Sequence, residues 1–183
     1  MTQHVKPCFS LLLLSLLAAL LVSCADPAPV ETTGGSQGKL NPETVIESFV
    51  DDLNEALRDP GLATPEASRA WAERLANHFT PSERVDQRTA LRTMLDSFAV
   101  SLGQLEPGQR LLLDLSYSDV TVISREQNRA IVALNDGVVS LRWISATGDV
   151  IRQRSRSLTE LLDIRNGGLP VIRVDGRWFL TEG

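Results

Sequence analysis

The chain has 183 residues, with 18 Lys and Arg against 23 Asp and Glu, a formal charge of −5, 43% apolar residues and only 5% aromatic ones. That balance fits one globular domain plus an extension, and it excludes a multi-span membrane protein and a strongly basic nucleic-acid binder.

Residues 1–7 are polar with one firm positive charge, Lys6, and residues 9–22 are apolar apart from Ser10 and Ser15. As a helix that run reaches about 21 Å, short of the roughly 30 Å hydrocarbon core, so it reads as a signal peptide over 1–23. It ends in Leu21-Val22-Ser23-Cys24, followed by Pro27 and Pro29. These four residues resemble the lipobox of bacterial lipoproteins: an aliphatic residue, a tolerant position, a small residue, then cysteine. The resemblance implies that a thiolate at the membrane surface accepts a diacylglyceryl group and that the peptidase cuts before Cys24. Two or more acyl chains make a stable anchor, each buried methylene contributing about 0.8 kcal/mol. The expected address is therefore the extracytoplasmic face of a bacterial membrane. Ala25, where Asp would signal inner-membrane retention, leaves an outer membrane open if the host has one. Loss of the leader removes His4 and Cys8, leaving Cys24 and His78. One thiol and one imidazole exclude a zinc cluster, a Cys/His dyad and an internal disulfide.

Residues 24–39, the lipidated cysteine and a stretch rich in Pro, Gly, Ser and Thr, read as a flexible tether with an end-to-end distance of about 20 Å. A single domain is expected over 40–183. Asn41-Pro42-Glu43 supplies a cap, a first-turn proline and a first-turn acid. Val45, Ile46, Phe49, Val50, Leu53, Ala56 and Leu57 then lie on one stripe of a helix broken at Pro60-Gly61. A second helix is predicted from Thr64-Pro65-Glu66 through Trp71, Leu75 and Phe79 to Pro81. A third starts between Ser82 and Asp86, carries Ala90, Leu91, Met94, Leu95, Phe98 and Leu102, and ends before Pro107-Gly108.

After Gly108 the apolar period changes from 3.6 to 2. Leu111, Leu113, Leu115 and Tyr117 predict a strand, with Val120 and Val122 extending it beyond a bulge. Ala130, Val132 and Leu134 predict the next strand and Val139, Leu141 and Trp143 a third, with Asp136-Gly137 between them as a hairpin turn. A fourth covers 150–155 after the turn at Gly148. Residues 157–164 suit either a short helix or a strand edge. A second Asp-Gly hairpin closes the chain, 171–174 against 177–180. Helices first and antiparallel strands after predict an α+β domain with helices on one face of a bent sheet.

This order over 40–180, with the opening helix 42–57 and the closing Val174-Asp175-Gly176-Arg177-Trp178-Phe179 string, resembles the nuclear transport factor 2-like, or cystatin-like cone, superfamily. The longer second helix and residues 157–168 depart from its minimal members. The resemblance implies a curved antiparallel sheet that in some members houses isomerases, cyclases or epoxide hydrolases using Tyr/Asp, His/Asp or Asp/Arg/Asp sets.

The ingredients available for such a set are Asp114, Tyr117, Asp119, Arg142 and His78, and none falls in a family motif. Strand alternation puts Tyr117 on the face of Leu111, Leu113 and Leu115 and Asp114 on the other, so they cannot share one substrate proton. Tyr117 then reads as a core ring and His78 as a helix-terminal cation facing the dipole. Glu47, Asp51, Asp52 and Glu55 form a solvated helix face and a poor metal site. No catalytic residue, metal or cofactor is expected.

Arg152, Arg154 and Arg156 alternate, so a strand places all three on one side. The mature chain before Arg110 holds seven basic and 14 acidic residues, and from Arg110 on ten and nine, so the helices are acidic and the sheet carries a basic stripe. Guanidinium forks suit phosphate and carboxylate, whereas pairing with the protein's own acidic helices would silence them. With Tyr117 and Trp143 they are the candidate ligand or partner contacts. The expectation is a lipid-anchored, non-enzymatic binding or accessory domain that meets a small apolar ligand or another envelope protein, with no nucleic acid. The alternatives are a small cone-fold isomerase or hydrolase acting on a hydrophobic substrate, and a structural envelope component.

Overall fold

A computed structural model describes residues 38–162 and 167–182. The leader, Cys24 and the tether up to residue 37 lie outside the described residues. Three helices, α1 (Pro42–Arg58), α2 (Pro65–Ala76) and α3 (Arg84–Leu102), precede five strands, a short helix α4 (Leu158–Leu162) and two more strands. The strands are β1 (Arg110–Ser116), β2 (Asp119–Glu126), β3 (Arg129–Asn135), β4 (Val138–Ile144), β5 (Val150–Ser157), β6 (Leu169–Val174) and β7 (Arg177–Leu180). All pairings between these strands are antiparallel. The domain is α+β.

In α1 the predicted stripe is the buried face: Val45, Ile46, Phe49, Val50, Leu53, Ala56 and Leu57 all enter the core. Asn41 sits at the cap position in extended backbone, yet its side chain makes no capping bond, so proline at the first turn and Glu43 define that start alone. Thr64 does cap α2, accepting from the Ala67 N–H at 3.3 Å. That helix stops at Ala76, earlier than its apolar spacing predicts. His78 and Phe79 donate their N–H groups to Leu75 and Ala76, tightening the last turn, and the chain then runs beside β7: the Leu180 N–H donates to the His78 carbonyl at 2.9 Å and the Thr80 N–H to that of Leu180 at 3.1 Å. Phe79 is buried by this pairing with the sheet rather than by a longer helix.

The strands form a three-stranded ladder β1-β4-β5 and a four-stranded ladder β2-β3-β6-β7, and one long bent hairpin, with arms β1-β2 and β3-β4, runs through both. Ser116 faces Val138 in the first and Asp119 faces Asn135 in the second. Two residues lie between these pairs on each strand, so the register runs through the junction without a slip. The hairpin's turn is Gln127-Asn128, with Gln127 at φ 43°. Asp136-Gly137 is therefore a bend inside a long strand and corrects the predicted hairpin turn. Ser118 bridges the bend, donating its N–H to the Asn135 carbonyl at 2.9 Å and its hydroxyl to Asp136 Oδ2 at 2.9 Å. Across it the buried positions change from odd (Leu111, Leu113, Val139, Leu141) to mainly even (Val120, Ala130, Val132, with the small Ala133 also buried), so the strand turns its other side to the core. Asp175-Gly176, at φ 49° and 80°, does make a tight hairpin between β6 and β7.

Gly38 and Lys39 belong to the fold although the sequence puts them in the tether. The Lys39 N–H donates to the Trp178 carbonyl at 3.0 Å and the Trp178 N–H to that of Lys39 at 2.8 Å. Gly38 lies so close to the buried Phe179 ring that a Cβ would stand 2.4 Å from its Cζ.

Candidate functional site

The residues that a cone-type active site would need are dispersed. Asp114 forms an ion pair with Arg58 at the end of α1. Asp119 accepts from the next backbone N–H, of Val120, at 2.8 Å. Arg142 lies between Leu112 and Gln153, and its buried Nε has no hydrogen-bond partner among the described residues. Tyr117 is half-buried against the core at the strand junction. Burial pushes its phenol up, and the carboxylates of Asp51 and Glu47 push the same way, so the hydroxyl is a weak acid and a poor proton donor.

His78 overturns the expectation of a helix-terminal cation. It lies beyond the end of α2, its side chain 10% exposed, with Nε2 2.7 Å from Asp52 Oδ2. Desolvation lowers its pKa, and the Asp52 carboxylate beside it only partly opposes that. The ring is thus neutral near pH 7 and donates Nε2–H to the carboxylate. Burial alone would raise the Asp52 pKa, but hydrogen bonds from Arg74, at 2.6 Å, and from His78 outweigh it and hold the carboxyl below its ordinary value. Phe49 meets the imidazole edge-on, with centroids 5.8 Å apart. An Asp-oriented neutral imidazole can act as a base in principle. Here Asp52 is clamped from two sides and the His78 backbone is stitched to β7, which makes the pair a tie between α1, the exit of α2 and the sheet. Its two halves are 26 residues apart, and Asp52 reads in sequence as one of four solvated acids; only the unusual lone histidine marks the position.

The arginine row is where alternation puts it. Arg152 faces Trp143, Arg154 faces Leu141 and Arg156 faces Val139 on β4. Directly opposed residues share a sheet face, so the row continues the face that buries Leu141 and Val139. The other face carries Ser155, 3.0 Å from Ser140. Arg152 stacks over the half-buried Trp143 ring at 5.2 Å. All three arginines are exposed, and among the described residues none has a carboxylate within ion-pair distance. The acidic helices spend their charge elsewhere: Asp52 and Glu55 on Arg74, Glu73 on Arg88.

No family model matches the chain, and no curated protein matches it. The site therefore stands on its geometry. It comprises a cationic strand at a sheet edge, an aromatic ring under the first guanidinium, and an apolar pair, Val150 and Ile151, more than half exposed at the strand's start. Guanidinium groups held in line at a strand's repeat of about 7 Å can grip several carboxylate or phosphate groups at once. Among the described residues no group of three or more His, Cys, Asp or Glu side chains is placed to hold a metal ion, and no helix is long and apolar enough to cross a membrane.

Proposed function

We propose that the chain is a lipoprotein anchored through Cys24 to the extracytoplasmic face of a bacterial membrane, and that its domain is a non-enzymatic binding module for an anionic envelope partner. The observation that carries the binding reading is the exposed row Arg152, Arg154 and Arg156, three guanidinium groups in line on one strand with no carboxylate within ion-pair distance among the described residues. The Leu21-Val22-Ser23-Cys24 sequence supports the anchor. The long first helix against a bent antiparallel sheet supports a nuclear transport factor 2-like cone. The dispersal of Asp114, Tyr117, Asp119 and Arg142 weighs against an active site.

A catalytic reading would rest on the His78–Asp52 pair, which matches one of the sets that cone enzymes use. Clamping by Arg74 and burial against Phe49 favour the structural role.

One preparation tests both halves of the proposal. Wild-type protein should sediment with membranes, and the Cys24→Ala protein should be soluble. That soluble protein should still bind washed envelope fragments in a salt-sensitive manner, and Arg152→Glu/Arg154→Glu in the same background should abolish retention. Retention unchanged by charge reversal would defeat the binding module, and membrane association unchanged by Cys24→Ala would defeat the anchor.

A further inference from the structure

The ladders have four edges, and three are guarded. β7 is covered by Lys39 and by the 78–80 segment through four backbone hydrogen bonds. β1 is clipped by Asn54 of α1, which takes both backbone groups of Leu115 at 2.8 Å each. β2 carries a register shift between Val122 and Ser124, and bulges of this kind spoil an edge as a template. β5 has one such shift at its start, where Ile151 is skipped between Val150 and Arg152, and none of these devices along 152–157. Its pairing with β4 is regular from Val138 to Trp143, and among the described residues no other backbone hydrogen bond reaches it. An unguarded regular run over 152–157, exposed along nearly its whole length, is unusual in a protein that guards its other edges.

The charges select what can dock there. A second copy of β5 would set arginine row against arginine row, and like charges directly opposite destabilise a ladder. A strand with acidic residues at every second position would place its carboxylates about 5 Å across from the guanidinium groups, at the same repeat. The row that repels a second copy thus admits an acidic strand. Val150 and Ile151 add apolar contact at one end.

We propose that β5 is a docking edge for an extended acidic segment of a partner protein, which joins β1-β4-β5 as a fourth strand with its carboxylates against Arg152, Arg154 and Arg156. Main-chain hydrogen bonds supply part of the affinity and the charges set register. This inference rests on the binding-module reading and gives its partner a chemistry.

The test titrates the full-length protein, held in neutral detergent, with a short fluorescent peptide that alternates Glu and Val. Three controls accompany it: the same peptide N-methylated at alternate residues, its Lys-for-Glu counterpart, and phosphatidylglycerol vesicles against phosphatidylcholine ones, offered without detergent to the unacylated Cys24→Ala protein. The acidic peptide should bind and slow amide exchange across 152–157. Arg154→Glu should weaken binding about tenfold or more, and Arg154→Gln by less, each with an unchanged thermal midpoint. The N-methylated and Lys peptides should not bind. Equal binding of the N-methylated peptide would overturn strand addition, since charge alone would then suffice. A preference for phosphatidylglycerol vesicles without peptide binding would overturn it in favour of a lipid headgroup. Either result leaves the salt-sensitive envelope retention standing, whereas loss of that retention defeats the reading beneath both.

Discussion

Asn54 is the residue through which α1 holds the edge of the sheet, and replacing it tests whether the fold depends on that clip. Its Oδ1 accepts the Leu115 N–H and its Nδ2 donates to the Leu115 carbonyl, both at 2.8 Å and partly buried. Asn54→Ala removes two hydrogen bonds at once and strands a donor and an acceptor that α1 shields from water. Each satisfied bond is worth about 1 kcal/mol, and each shielded group left unpaired costs roughly 1–3 kcal/mol. Partial access of water at this edge places the sum near the lower end, about 2–4 kcal/mol. At roughly 3 °C per kcal/mol for a domain of this size, the thermal midpoint should fall by about 6–12 °C. Calorimetry measures the midpoint, and hydrogen exchange reports on the Leu115 amide directly, which should lose protection while Asp114, whose backbone faces Ser140 across the ladder, keeps most of its own. Asn54→Asp should fall between, since it retains the acceptor and turns a second acceptor toward the carbonyl. A midpoint within 1–2 °C of wild type together with a Leu115 amide as protected as before would refute the reasoning.

Other expectations follow from the same contacts. Gly38→Ala should cost about 1–3 kcal/mol, because its Cβ would press on a Phe179 ring that is fully buried, and Phe179→Leu should relieve part of that loss in a double-mutant cycle. Arg58→Ala should change unfolding free energy by less than about 1 kcal/mol, since its pair with Asp114 is exposed on the arginine side. Stability should decline on acidification in two windows. His78 titrates lower in the fold than its unfolded value of 6.5, so the unfolded chain takes the proton first and stability drops as pH falls below that value. Asp52 is likewise depressed below 3.8, and its contribution is lost as pH falls further through the folded pKa. Urea unfolding of His78→Gln across this range should lack the first decline, and an identical profile would reject the assignment.

What the sequence makes legible divides along the range of the forces involved. Helix stripes, the proline-led starts of α1 and α2 and the alternation of β5 are set by neighbours within a few residues, and they appear where the apolar period puts them. The two Asp-Gly pairs show where that stops. Both adopt positive φ at the Asp, and both allow a hairpin. One makes it and the other bends a long strand, because the unbroken register between β1-β2 and β4-β3 is decided by pairing across the sheet. Phe79 fits a helical stripe and is instead claimed by β7. The Asp52–His78 contact and the Asn54 clip join residues 26 and 61 positions apart, and nothing local announces either. Arg152, Arg154 and Arg156 are readable as a row, whereas the absence, among the described residues, of any acid opposite them and of any strand beside β5 is a property of the fold.

The intact mass of the protein extracted from its host membrane bears most directly on the proposed role. A chain that starts at Cys24 and carries the added mass of a diacylglyceryl group with an amide-linked acyl chain is the expected result. A chain that keeps residues 1–23, or one that starts elsewhere with an unmodified Cys24, would contradict the anchor and with it the place assigned to the β5 edge.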